Sequence, residues 1–123
     1  MVCAGNAHGT GKWAEQLACE YLTSNGLVFL DRNYRGPGGE IDLIMQEEST
    51  IVFIEVKYRK NENYYDVLES IDKRKCDRII KTGLYYQQSA KRGSNIICRF
   101  DIVAISGDRF KPQIKWIRNA FHA

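Results

Sequence analysis

Between Gly38 and Lys60 the chain reads GGEIDLIMQEESTIVFIEVKYRK, two apolar runs separated by QEEST. Runs of this length and pattern, joined by a polar turn signal, read as a β-hairpin. Yet ionisable groups sit inside them. Asp42 lies between Ile41 and Leu43, Glu55 between Ile54 and Val56, and Lys57 one step further on. Groups of this kind are rarely placed in buried strands without partners. Strand alternation puts Glu40, Asp42 and Ile44 on one face, and Phe53, Glu55, Lys57 and Arg59 on one face of the second strand. Asp42 and Glu55 are equidistant from a pivot between Glu48 and Ser49. Closing the hairpin there sets the two carboxylates opposite each other, with Cβ atoms ~5 Å apart.

Two like charges so close call for something positive between them. A divalent cation answers this, because carboxylate oxygens are the hard ligands that Mg²⁺ or Mn²⁺ accepts. The Val56 carbonyl offers a third ligand. Lys57, about 7 Å beyond Glu55 on the same face, can point its charge at a water or a phosphate oxygen. Acid, acid and lysine around a metal suit phosphodiester hydrolysis. A buried ion-pair cluster, or a wet sheet face on which E-x-K is commonplace, accounts for the same residues.

The rest of the chain supplies a frame. GKWAEQLACEYLTS has helical spacing in Ala14, Leu17, Ala18 and Tyr21, with Thr10 as N-cap and Asn25-Gly26 as stop. LVFLDRNYR reads as a strand ended by GPGG. A second helix is expected from about Leu68 to Gln88, with Cys76, Ile79, Ile80, Gly83 and Leu84 as its apolar stripe and close packing at Gly83. IICRFDIVAI reads as a buried strand and PQIKWIRNAF as a last one. The order α-β-β-β-α-β-β, without linker or repeat, predicts one α/β domain over residues 1–123.

The start, MVCAGNAHGTGK, has no apolar signal-peptide core, and no apolar run reaches membrane-spanning length. A cytoplasmic protein without a membrane partner is therefore expected. Four cysteines without a CxxC pair read as free thiols in a reducing compartment. The net charge of +3 is concentrated between Lys57 and Lys81. There Arg74, Arg78 and Lys81 line one helical face with Tyr85 a turn on, suited either to phosphates and a stacked base or to plain solvation. Arg59, Lys60, Tyr64 and Tyr65 follow the acids, where a loop can grip a nucleic-acid backbone. Glu40 is expected to pair with a nearby arginine, Arg99 and Asp101 to form a structural salt bridge, and His8 and His122 to lie on the surface.

The set Asp42…Glu55-x-Lys57 on a hairpin after a leading helix resembles the PD-(D/E)XK nuclease superfamily. Within it the chain resembles the YraN family of small bacterial proteins. The resemblance runs through Gly11, Glu15, Ala18, Tyr21 and Leu22, then Arg32 to Arg35, Gly38 to Ile44, Val52 to Arg59, Lys75, Arg99 to Val103 and Trp116 to Phe121. It covers nearly the whole chain in order, although Ile41 replaces the superfamily's proline. It implies a restriction-endonuclease-like fold, a mixed central β-sheet flanked by helices. It also implies Asp42 and Glu55 as metal ligands, Glu15 holding a metal-bound water or second ion, and Lys57 activating water. Nucleic acid would be the partner, DNA ahead of RNA and branched DNA included, and a homodimer is compatible with cutting two strands. The alternative is a nucleic-acid-binding protein that keeps the fold without cutting. In either reading Arg59, Lys60, Arg74, Lys75, Arg78 and Lys81 are the candidate nucleic-acid contacts.

Overall fold

The structure is a computed structural model describing residues 9–60, 69, 71–89 and 96–122. Helix α1 (Gly9–Ser24) precedes strands β1 (Val28–Gly36), β2 (Gly39–Glu47) and β3 (Thr50–Arg59); helix α2 (Lys73–Ser89) and strands β4 (Cys98–Ser106) and β5 (Gln113–Phe121) follow. The five strands form one open sheet in chain order. β3 and β4 run parallel, and every other neighbouring pair is antiparallel. The expected element order and mixed sheet are therefore present.

Alternation along the central strands sorts the core into two layers. Leu43, Met45, Val52 and Ile54 pack with Ala14, Ala18, Cys19 and Leu22 of α1. Ile44, Ile51 and Phe53 point the other way and pack with Ile79 and Tyr86 of α2. The helices thus cover opposite faces, as expected of a sheet whose central strands are apolar on both sides.

Chain chemistry sets the ends of both helices. α1 closes in a Schellman motif: Gly26, with φ of 97°, donates to the Thr23 carbonyl and Leu27 to the Leu22 carbonyl. Leu22 and Leu27 are both buried in the α1 cluster, the apolar contact that accompanies this cap. Thr10 is not the N-cap, because the helix already includes Gly9 and Thr10. α2 begins later than the periodicity suggests. Asp72 caps it, its carboxylate accepting from the Lys75 N–H at 2.9 Å, so Lys75 falls in the first turn. Leu68 and the tyrosines at 64 and 65 lie outside the described residues, as does His8.

The buried stripe of α2 is Ile79, Thr82, Gly83 and Tyr86. Leu84, expected in that stripe, is 44% exposed. Gly83 is close-packed as expected, since a Cβ there would meet Phe100 and Phe53 at 3.0 and 3.1 Å. Thr82 ties the β1–β2 turn to the helix. Its Oγ1 accepts from the Gly38 N–H at 3.0 Å, and a Cβ at Gly38 would lie 2.3 Å from the Arg78 carbonyl oxygen. The glycines of GPGG therefore do more than end a strand; one of them lets the turn touch the helix backbone.

Free thiols are present at Cys76 and Cys98. Cys19 corrects that expectation, because it is disulfide-bonded. No helix among the described residues is long and apolar enough to cross a membrane.

Candidate functional site

The β2–β3 ladder has the register expected from the pivot. Glu47 pairs with Thr50 and Leu43 with Ile54, around a two-residue turn whose first residue, Glu48, has φ of 54°. The ladder stops at Leu43. One residue beyond it, Asp42 Oδ2 accepts from the Val56 backbone N–H at 2.8 Å, so a side chain takes the place of a ladder carbonyl. Strict alternation fails here too: Ile41 and Ile44 join the same cluster on the α2 side, which would not happen if Asp42 and Ile44 shared a face. Asp42 is released from the α2 core as β2 leaves the ladder.

Four carboxylates gather at this end of the sheet. Glu15, Glu40 and Asp42 each offer an oxygen within 4.8 Å of the others. Glu55, 3% exposed, neighbours Asp42 and forms an ion pair with Lys75 at 2.6 Å. Burial raises the Asp42 carboxyl well above the usual carboxylate range, and the adjacent Glu55 raises it further, against the lowering effect of the Val56 hydrogen bond. Burial also lowers the Lys57 ammonium, with Lys75 and Arg59 adding repulsion. Lys75 moves upward: desolvation is the largest single influence and lowers it, but the hydrogen bond and charge of Glu55, with the charge of Asp42, together outweigh it.

These groups line two cavities. One, of about 310 Å³, is bounded by Gly11, Glu15, Asp42, Glu55, Lys57, Tyr58, Arg59 and Lys75 among others. The second, also about 310 Å³, runs past Gly38, Glu40, Arg78 and Ile79. Asp42, Glu55 and Lys75 line both, so the acids occupy the middle of a groove with Arg59 towards one end and Arg78 towards the other.

The structure brings Glu15, Asp42, Glu55 and Lys57 together, as expected from sequence. Val56 contributes its N–H to Asp42. Lys75, expected as a nucleic-acid contact, lies inside the acid site, paired with Glu55. Lys60 lines a separate cavity with Arg109 and Phe110. Arg74 and Lys81 are exposed on α2, and neither lines a cavity described here. Glu40 meets its expected arginine, Arg35, at 3.5 Å, and also stands in the acid cluster. At the far end of the sheet Arg99 holds Asp101 at 3.0 Å and Glu47 at 2.7 Å, the structural role expected of that pair. His122 is exposed.

Asn33 is the residue that sequence reasoning missed. Its Nδ2 donates to Glu15 and to Glu40 at 3.1 Å each, and its Oδ1 accepts from Lys12 at 2.8 Å. It has φ of 50°, a conformation that asparagine tolerates better than most residues. Asn33 sits between Arg32 and Tyr34, on a strand whose register shifts earlier, between Phe29 and Asp31.

Whether a divalent cation fits can be judged from the acids. Their donors are all oxygens, three of them converge within 4.8 Å, and Asp42 is crowded by the charges of Glu55 and Glu15 while the nearby Lys75 makes its ion pair with Glu55. This set suits a hard cation.

A family model described as "Uncharacterised protein family UPF0102" matches residues 14–105. Relatives named as UPF0102 proteins include one from Methylococcus capsulatus, 44% identical over 93% of this chain and 91% of its own length. One from Coxiella burnetii is 47% identical over 87% of each chain, and one from Pseudomonas putida 39% identical over 98% of each.

Proposed function

The chain belongs to the uncharacterised protein family UPF0102, and from its own site we propose a metal-dependent endonuclease that hydrolyses phosphodiesters, with DNA, branched DNA included, as the first substrate. The observation that carries this reading is the convergence of Glu15, Glu40, Asp42 and Glu55 beside Lys57 and Lys75 in one groove. Asp42, Glu15 and Glu40 would hold Mg²⁺ or Mn²⁺, with Glu55 joining once it lets go of Lys75. When bound, such an ion lowers the pKa of water and polarises a phosphoryl oxygen.

The protein groups have separable tasks. Lys57, partly buried and less basic than an exposed lysine, is placed to donate to the attacking water or to a phosphate oxygen. Lys75 neutralises Glu55 before the substrate arrives and can then turn towards phosphate. Arg59 and Arg78 flank the groove and suit backbone phosphates on either side of the acids. Asn33 positions Glu15 and Glu40 through its amide. Replacing it with glycine keeps the positive φ and deletes the amide. Asn33→Gly is expected to weaken Mn²⁺ binding roughly 10–100-fold, the usual cost of losing a group that orients ligands, as read by calorimetry.

A second reading has its own support. The Lys75–Glu55 ion pair satisfies Glu55 without any metal, as suits a protein that binds nucleic acid and does not cut it. Titrating Mn²⁺ and Mg²⁺ into wild type and Asp42→Asn, then incubating each with branched, duplex and single-stranded DNA and RNA, separates the two. The nuclease reading expects metal binding in wild type and cleavage that falls about 10³-fold in Asp42→Asn. Salt-dependent binding in EDTA with no metal uptake and no cleavage would leave the binding module.

A further inference from the structure

Next to the acid groove lies a third cavity, of about 460 Å³, lined by Tyr58, Lys60, Asp108, Arg109 and Phe110. Tyr58 belongs to both cavities. From Lys57 to Lys60 the chain advances about 10 Å, so the two sites are a few nucleotides apart at most. Phe110 is 96% exposed, the most exposed of the large apolar side chains described.

Its display is built. The Tyr58 hydroxyl donates to the Gly107 carbonyl at 2.7 Å, fixing the start of the β4–β5 turn. Asp108 Oδ1 then accepts from the Phe110 and Lys111 N–H groups at 2.9 and 3.0 Å. Gly107, with φ of 90°, makes the bend. Behind the turn, the Arg109 guanidinium lies 4.9 Å from the Trp13 ring, which meets Tyr58 edge-on at 5.1 Å. An aromatic ring is thus held in solvent, in a cavity that Lys60 and Arg109 also line, at the margin of a site read above as phosphodiester-cleaving.

We propose that this turn binds an unpaired nucleotide beside the scissile phosphate, with the base stacked on Phe110 and its phosphates met by Arg109 and Lys60. The inference rests on the nucleic-acid reading of the acid groove and adds the kind of strand that it takes. A stacking ring needs a base with a free face, which the interior of a duplex does not offer. Aromatic stacking with flanking cations is the common mode of single-strand recognition. One ring among charged neighbours suits a single base better than a broad apolar protein partner.

The test uses the full chain in EDTA, so that nothing is cut. Oligonucleotides with a single-stranded tract carrying 2-aminopurine report affinity by anisotropy and stacking by quenching. Phe110→Ala is expected to weaken binding about tenfold or more and to abolish the quench, while Phe110→Trp keeps both. Lys60→Gln should lower the salt slope by roughly one. Being exposed, Phe110 can be replaced without opening the core. Equal affinity and quenching in Phe110→Ala would overturn the inference, as would failure of wild type to bind any single-stranded tract. A change in oligomeric state in Phe110→Ala, with nucleic-acid binding intact, would also overturn it and assign the ring to self-association. The nuclease reading stands or falls separately, on metal uptake and cleavage. A stacked base in EDTA, with no cleavage once Mn²⁺ replaces the EDTA, would sink that reading and leave this one.

Discussion

In metal-free buffer at pH 8, Asp42→Asn is expected to be more stable than wild type by roughly 1–3 kcal/mol, the scale of a poorly compensated buried group, and so to melt about 5 °C or more higher. Wild-type Asp42 is buried beside Glu55, and both effects favour its protonated form. The sign follows from proton linkage. The folded state keeps a proton that the unfolded chain releases at about pH 4. The stability that Asp42 contributes is therefore full below about pH 4 and is lost as pH rises through the raised folded value. Asparagine is neutral throughout, and its Oδ1 can still accept from Val56. The gap between the two proteins should thus be small near pH 4 and widen towards pH 8, as followed by thermal melts across that range. A saturating divalent cation should reverse the order, since it stabilises only the protein that binds it, by about 2.7 kcal/mol at a hundred times Kd. Equal melts at every pH would mean that Asp42 is already well compensated and that the site has no charge deficit to fill.

Lys75→Met should act in the opposite direction. Glu55 is 3% exposed, and Lys75 is the only cation with a described ion pair to it. Removing one partner of a fully buried pair costs about 3–5 kcal/mol. Lys75 is itself 36% exposed, so water can partly replace it, and a loss of about 1–3 kcal/mol is expected. Urea unfolding in EDTA would show it as a lower midpoint with an unchanged slope. Because the lysine competes for the same oxygen, the variant should also bind Mn²⁺ more tightly than wild type. The double variant Lys75→Met/Glu55→Gln should recover most of the lost stability, as coupled partners do. An unchanged midpoint in Lys75→Met would show that Glu55 finds its compensation elsewhere.

The hairpin and its acids were legible because two-residue alternation and symmetric spacing about a turn leave few registers open. That symmetry carries Asp42 and Glu55 to the same end of the hairpin. What alternation does not carry is the point at which a strand leaves its ladder, so the shared burial of Ile41 and Ile44 went against the simple count. The α2 stripe was half legible. Ile79 and Gly83 fit an apolar reading, while Thr82 and Tyr86, each with a polar atom, are buried and Leu84 is exposed. Tyr86 earned its place by shape, edge-on to both Tyr34 and Phe53. Asp72 is a readable cap that the periodicity of the residues before it obscures, and the pairing of Lys75 with Glu55 depends on how α2 docks on the sheet. Asn33 left almost no signal, because its role depends on three groups, Lys12, Glu15 and Glu40, that only the folded sheet assembles.

The Glu48–Ser49 turn has one further consequence. Exposed loop tips usually accept insertions and deletions. This one is the zero mark of a ruler, because the ladder that ends at Leu43 and Ile54, just short of Asp42 and Glu55, counts the same number of residues from it on both arms. A single added residue, unless a bulge absorbed it, would turn one arm over and send its carboxylate into the opposite layer of the core. The chemistry at one end of the sheet is thus length-coded by a solvent-facing turn at the other, and sequence drift there is constrained in number of residues far more than in kind.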